Sequence, residues 1–286
     1  MTGEQVPAAE VARRAGLPRL GGRPPLVDYS RDLWERRALL VELARSRFRA
    51  TNEGTRLGMA WVVIRPLLNA AVYGLVFGLL LPAGTRPDNF VPFLVVGIFV
   101  FQFFSGCLND GAKAITGNLG LVRTLRFPRA LLPLASVLQQ LLALGPMMVV
   151  AAVICVVFGE PVGLRWLGLL PALLLLATFS AGVAMIAARA TLHIRDITQL
   201  LPFVTRLLFY TSGIFYAVDR VGLPRAVEVV ALLNPVHVYI ALSRGALVEG
   251  QAVDGSTWWL GVGWALVVLV LGYLFFWRAE ERYGRE

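Results

Sequence analysis

Residues 118–133 read NLGLVRTLRFPRALLP and join two long uncharged runs, 89–109 and 130–159. Arg123, Arg126 and Arg129 are interleaved with Leu119, Leu121, Val122, Leu125 and Phe127, so a helix here carries basic groups beside an apolar strip. Such a helix cannot cross a bilayer, because each arginine near the hydrocarbon centre costs at least about 2.5–3.5 kcal/mol. The stretch belongs at a membrane surface, and the runs on either side belong inside.

The rest of the chain agrees. Its 286 residues are 57% hydrophobic and 16% charged, with a mean hydropathy of +0.68, where soluble proteins carry roughly 25% charged residues. Crossing the hydrocarbon core takes about 20 mostly apolar residues. The runs 66–85, 89–109, 130–159, 166–188 and 255–277 contain no Asp, Glu, Lys or Arg, and 197–218 contains only Arg206. The expected fold is an all-α integral membrane protein with six transmembrane helices, at about 59–81, 90–108, 130–158, 166–188, 197–217 and 257–277.

An even number of spans puts both termini on one side, and Lys and Arg close to the spans are retained in the cytoplasm. The N-in, C-in orientation makes 20 of the 27 basic residues cytoplasmic. Arg86, Arg165, Arg220, Arg225 and Arg244 are then external, while Arg65 and Arg206 fall in spans. The net charge of +9 reads as topology and contact with anionic lipid, not as nucleic-acid binding.

Residues 1–29, rich in Pro, Gly, Ala and Arg, read as a flexible cytoplasmic tail, with no apolar core to make a cleaved leader. Residues 30–56 read as an amphipathic interfacial helix with Ser30 as its N-cap. Leu33, Trp34, Leu40, Val41, Ala44 and Phe48 share one face, opposite Glu35, Glu42, Arg45 and Arg49. Residues 57–286 form the membrane domain. Leu57-Gly58 turns the chain into the bilayer, Trp61 sits at interface depth, and Arg65-Pro66 bends the first span. The second span carries Phe90, Phe93, Phe99, Phe101, Phe103 and Phe104, either as lipid-facing bulk or as rings along a permeation route; bulk is the simpler reading for any single ring. Gly145-Pro146 offers a kink in the third span. Residues 222–248 are apolar in part but broken at Asn234-Pro235, which predicts an external re-entrant hairpin of two helices, roughly 224–232 and 235–247. Trp258, Trp259 and Trp264 anchor the sixth span. Cys107 and Cys155 lie in or beside apolar runs and read as core residues.

Absences narrow the chemistry. No G-x-x-x-x-G-K-[ST] is present, and the single lysine, Lys113, follows Ala112, so ATP is not bound by a phosphate loop of this chain. No predicted span has Asp or Glu near its middle, which disfavours ion-coupled antiport. His193 and His237 fall on opposite sides, and the external Asp219, Glu228, Glu249 and Asp254 form no motif. Catalytic residues and a metal site are not expected, the chain does not read as an enzyme, and its energy source belongs on another polypeptide.

Several patterns now resemble the type-2 ABC exporter permeases that move lipid-linked polysaccharides, the family of O-antigen, teichoic acid and galactan exporters. They are Arg31-Asp32-Leu33, Leu57-Gly58 with Trp61 and Pro66, Leu125-Arg126-Phe127-Pro128-Arg129 with Leu132-Pro133, Arg195-Asp196-Ile197, and Leu233-Asn234-Pro235 with Arg244. The resemblance runs from about Arg31 to the C-terminus. The family's commoner Arg-Tyr-x-x-Ser-x-Leu-Gly spacing is stretched here, because residues 50–56 separate Arg47-Phe48 from Leu57-Gly58.

The resemblance implies a permease subunit in a bacterial inner membrane, with two copies of this chain and two ATP-binding subunits per exporter. ATP and Mg would bind the partner subunit and no cofactor this chain. Coupling to the ATPase falls to about 118–129, with Asn118, Leu121, Arg123, Arg126, Phe127 and Arg129 as contact candidates. The cargo would be a polyprenyl-diphosphate-linked glycan, passing between the first and fifth spans of the paired permeases. Candidates for its path are Trp61, Tyr73, Phe77, Phe93, Phe101, Phe104, Tyr210 and Phe215. Arg47, Arg49 and Arg56 are placed to attract a diphosphate or lipid headgroups. Two alternatives are an exporter of drugs or small lipids with the same architecture, and a non-transport membrane subunit of polyprenyl-sugar processing that uses an external acid such as Asp219 or Glu249.

Overall fold

The computed structural model describes residues 24–52, 56–80, 89–125, 127–216, 232–251 and 253–281, which form helices and connecting turns with no strand among them. The tail to residue 23, Arg126, Asp219, Glu228 and the expected hairpin helix at 224–232 lie outside the described residues.

The first two helices are α1, Leu26–Glu35, and α2, Arg37–Asn52. The expected single interfacial helix from Ser30 is thus two helices that start earlier. Pro25 opens α1, and a proline at a helix start sacrifices no helical hydrogen bond. Ser30 is therefore interior: its hydroxyl donates to the Leu26 carbonyl at 2.8 Å and meets the Tyr273 hydroxyl at 2.7 Å. The break at Arg36 (φ −92°, ψ 18°) separates α1, which reaches the C-terminal segment, from α2, which lies on α6. Ala44 and Phe48 of α2 are buried, whereas Trp34 is 70% exposed under the Arg37 guanidinium.

Gly58, at φ +49°, turns the chain through Gly58–Ala60 into α3, Trp61–Leu80. Then come α4, Phe90–Ala112; α5, Leu119–Thr124; α6, Leu131–Val157; and α7, Leu169–His193. After them are α8, Ile197–Thr211; α9, Pro235–Leu247; and α10, Gly255–Trp277. Among the described residues, five helices are long and apolar enough to cross a membrane: Gly58–Leu79, Phe90–Ala112, Leu131–Val157, Leu164–His193 and Gly255–Trp277.

Three boundaries differ from expectation for local reasons. α8 has 15 residues, about 22 Å at 1.5 Å per residue. It stops short of 217 because Gly213 takes φ +66° and reverses the chain. α5 is six residues long, and Leu125 is extended at φ −114°, ψ 140°; the following Phe127 precedes Pro128, which disfavours helical backbone there. α4 runs past 108 to Ala112 and so carries Asp110. α6 continues through Gly145-Pro146 without ending.

α4 is the centre of the bundle. Phe93, Phe99 and Phe103 are almost completely buried, and the helix packs against α3, α6, α7 and α9. Small residues set the approach of its neighbours. A Cβ on Gly111 would meet Ala184 of α7, and Cβ atoms on Gly182 and Gly272 would strike the main chain of the opposing helix where α7 meets α10. α3 and α8 are the least covered: Leu68, Val72, Leu75 and Leu79 of α3, and Leu200, Phe203 and Leu207 of α8, are exposed.

Candidate functional site

The α5 stretch is fastened at one end of the bundle by groups far apart in sequence. Phe127, Ala130, Leu131 and Leu132 are buried with Tyr29 of α1, Val122 of α5, Phe276 of α10 and Ala279. Through this apolar cluster runs a polar knot. Tyr29 donates its hydroxyl to Glu280 Oε2 at 2.9 Å and accepts the Ala130 N–H at 3.1 Å. The Arg129 N–H donates to Glu280 Oε1 at 3.1 Å, and its guanidinium reaches both the Glu280 carbonyl and, at 3.7 Å, Oε1. Trp277 donates to the Pro24 carbonyl at 3.0 Å.

Burial pushes the Glu280 carboxyl above its usual range, opposed by the Arg129 N–H, the Tyr29 hydroxyl and the Arg129 charge. Burial, and then the Glu280 charge, push the Tyr29 phenol well up. A groove of about 630 Å³ opens beside the knot, floored by Val122, Phe127 and Pro128 and edged by Asp28, Arg123 and Arg129.

The coupling candidates divide on this geometry. Phe127 and Arg129 are built into the knot, and Leu121 packs against its apolar cluster. Arg123 is exposed on the groove. Asn118 bonds the Ala114 carbonyl at 2.8 Å. Of the diphosphate candidates, Arg49 and Arg56 are exposed, whereas Arg47 turns inward to Ser136 Oγ at 3.1 Å.

Six of the eight path candidates belong to one network of rings. Phe77 stacks on Phe215 at 4.1 Å, Tyr73 lies 5.2 Å from Phe215, and Tyr210 lies 6.0 Å from it. Phe209, which sequence reasoning missed although it adjoins Tyr210, is 5.1 Å from Tyr73 and 5.0 Å from Phe101. Phe101 then leads to Phe104, Phe179 and Tyr239. Phe101, Phe104 and Phe215 are buried within the chain, and Tyr210 is the exposed member. Trp61 stands apart under the Arg65 guanidinium, and Phe93 stands apart under Arg244.

Where α9 meets α4, Arg244 is 3% exposed and donates to three main-chain carbonyls: Phe93 at 2.9 Å, and Gly213 and Ile214 at 2.8 Å each. Asn234 caps α9 by accepting the Val236 N–H, and its amide donates to Ser212. The turn after α8 is thereby clamped to α9 and to the start of α4. Nearby, Glu160 accepts from Asn89 and Arg165. Among the described residues, no cluster of three or more His, Cys, Asp or Glu could hold a metal ion.

Tyr29 and Glu280 were not singled out from the sequence. One falls in the expected tail and the other in a short charged end, and no local pattern pairs residues 251 apart.

Comparison with known proteins adds the relationship. The sequence model of the ABC-2 type transporter family matches residues 39–248. An O-antigen export system permease protein RfbA from Klebsiella pneumoniae is 26% identical over 213 residues, covering 74% of this chain and 81% of that protein. An RfbA from Myxococcus xanthus is 27% identical over 236 residues, covering 81% and 88%. The polysialic acid transport protein KpsM from Escherichia coli is 26% identical over 233 residues, covering 79% and 87%.

Proposed function

The chain belongs to the ABC-2 type transporter family and is a multi-pass inner-membrane protein, and on that premise we propose that it is the permease of an ATP-driven exporter of lipid-linked polysaccharide. The cargo class is supported by relatives named for O-antigen export and polysialic acid transport, matched over more than four-fifths of their length. In this reading ATP and Mg bind a partner subunit present in two copies, and two copies of this chain form the membrane pathway. The bundle has six spans, with the 15-residue α8 as the fifth, and the α5 end faces the cytoplasm. The α9 segment belongs to a re-entrant element at the outer face.

The observation that carries the mechanism is the knot. Arg129 and Phe127 are bound to α1 and to the C-terminal end of α10, so a push on α5 is delivered to the first and last helices together. Closure of the partner ATPase moves α5, and that displacement enters the bundle through Phe127–Ala130. The paired permeases separate along their exposed α3 and α8 faces, and the glycan passes outward between them, beside the exposed Tyr210. Arg47, Arg49 and Arg56 attract the diphosphate at the cytoplasmic leaflet.

The test is co-expression with the ATP-binding partner, reconstitution in vesicles, and measurement of ATP hydrolysis and glycan transfer together. The wild type is expected to couple the two. Phe127→Ala is expected to insert and pair normally while hydrolysis proceeds without transfer. Purification of an active exporter lacking any ATP-binding subunit overturns the reading.

A further inference from the structure

Where α2 lies on α6 beside the end of α4, the bundle holds a polar groove of about 390 Å³ lined by residues that include Arg47, Asp110, Lys113, Asn118, Ser136 and Gln139. A smaller one of about 140 Å³ shares Gln139 with it and continues past Gln140 and Gln102 to Trp61. Ligand pockets run from about 300 to 1,000 Å³, so the larger cavity suits a headgroup rather than an extended chain.

Its polar groups are arranged rather than scattered. Arg47 uses Nη1 on Ser136 Oγ at 3.1 Å and on the Leu132 carbonyl at 3.4 Å, while its Nη2 is buried with no hydrogen-bond partner. Burial lowers the Arg47 pKa, and Asp110 opposes that shift without forming an ion pair. The Asp110 carboxylate instead accepts from the Gln140 amide at 2.6 Å. Gly106 makes this possible, because a Cβ there would come within 2.5 Å of the Gln140 amide carbon. A buried guanidinium N–H without an acceptor is costly, and arginine does not escape the cost by losing its proton.

We propose that this groove binds a glycosyl phosphate, with Arg47 and Lys113 on the phosphate and Asp110, Gln139 and Gln140 on the hydroxyls of the adjoining sugar. A phosphate diester accepts hydrogen bonds and donates none, so it satisfies Arg47 Nη2 but leaves Asp110 facing a like charge. A sugar hydroxyl donates to that carboxylate and accepts from the amides, and Trp61 offers a ring at the inner end. This assignment rests on the export reading above and adds to it: the chain itself recognises the first sugar beside the phosphate.

The experiment uses the full chain in nanodiscs of zwitterionic lipid and titrates three probes by calorimetry. They are a short-chain prenyl diphosphate bearing one N-acetylhexosamine, the same prenyl diphosphate without sugar, and the hexosamine 1-phosphate without lipid. The glycosylated prenyl probe is expected to bind tightest and the sugar phosphate to bind measurably. Asp110→Asn is expected to weaken both sugar probes about fivefold while sparing or tightening the bare diphosphate. Arg47→Lys, which keeps the charge but loses the fork, is expected to weaken all three about tenfold. Lys113→Ala, on an exposed side chain, is expected to do so by a smaller factor with an unchanged melting temperature.

Equal wild-type affinity for the bare and glycosylated probes makes the groove a lipid-headgroup site and overturns the proposal. Equal loss for both in Asp110→Asn, or no loss in either Arg47→Lys or Lys113→Ala, also overturns it while the export reading stands. Failure of the wild type to bind any prenyl probe sinks both.

Discussion

Arg244 illustrates how one side chain can carry one end of this bundle. Its guanidinium reaches three main-chain carbonyls on α4 and on the turn after α8, a geometry that suits a planar fork and not an ammonium. Arg244→Lys is expected to leave at least one carbonyl unpaired, at about 1–3 kcal/mol for each, and to lower the thermal midpoint in detergent by several degrees. A lysine variant as stable as wild type would refute this account of the clamp. At the other end, Tyr29→Phe removes one bond to Glu280 and one from Ala130, and is expected to cost about 1–3 kcal/mol in the same measurement. Glu280 adds a pH dependence. Its folded carboxyl titrates above the ordinary value of about 4.3, so the folded chain holds the proton longer than the unfolded one. That contribution is full below the ordinary value and fades as pH rises through the raised one. The midpoint should fall over that interval in the wild type and flatten in Glu280→Gln. These contacts were invisible in the sequence because each partner is an ordinary polar residue until the fold brings it inside.

At the scale of helices, the sequence was most legible where periodicity and length decide. Four of the five long apolar helices coincide closely with uncharged runs, and Asn234-Pro235 starts α9 where expected. It was least legible where backbone geometry competes with pattern. Pro24-Pro25 moved the start of α1 upstream of Ser30, Gly213 ended α8 early, and α5 stopped at six residues, with Leu125 extended ahead of Phe127-Pro128. The α7–α10 contact shows the same limit: Gly182 and Gly272 are unremarkable letters until their helices meet backbone to backbone. Gly182→Val drives a branched side chain into α10 and is expected to cost about 1–3 kcal/mol or more. Size-exclusion chromatography should then show less monodisperse protein, whereas Gly78→Ala, which meets nothing within 4 Å, should behave as wild type.

For the whole molecule, orientation is the open quantity that a simple measurement fixes. Cys107 and Cys155 are both fully buried, so the native chain should resist maleimide until denatured and provide a silent background. On it, Thr124→Cys beside the knot and Val162→Cys at the opposite end should label from opposite faces of sealed vesicles, Thr124 from the cytoplasmic one. Labelling of both from one face would overturn the assigned topology. The ring network was half legible: the sequence supplied aromatics of the right type in α3, α4 and α8, but which of them turn inward depends on how the helices rotate against one another. The Tyr29–Glu280 bond has one more implication, in the order of events during biosynthesis. Its partners are 251 residues apart, so at about 5–20 residues per second the ribosome finishes the second roughly 10–50 s after the first. Until then α5 lacks its anchor, and a partner that recognises only the fastened loop will pass over unfinished chains and assemble with completed ones.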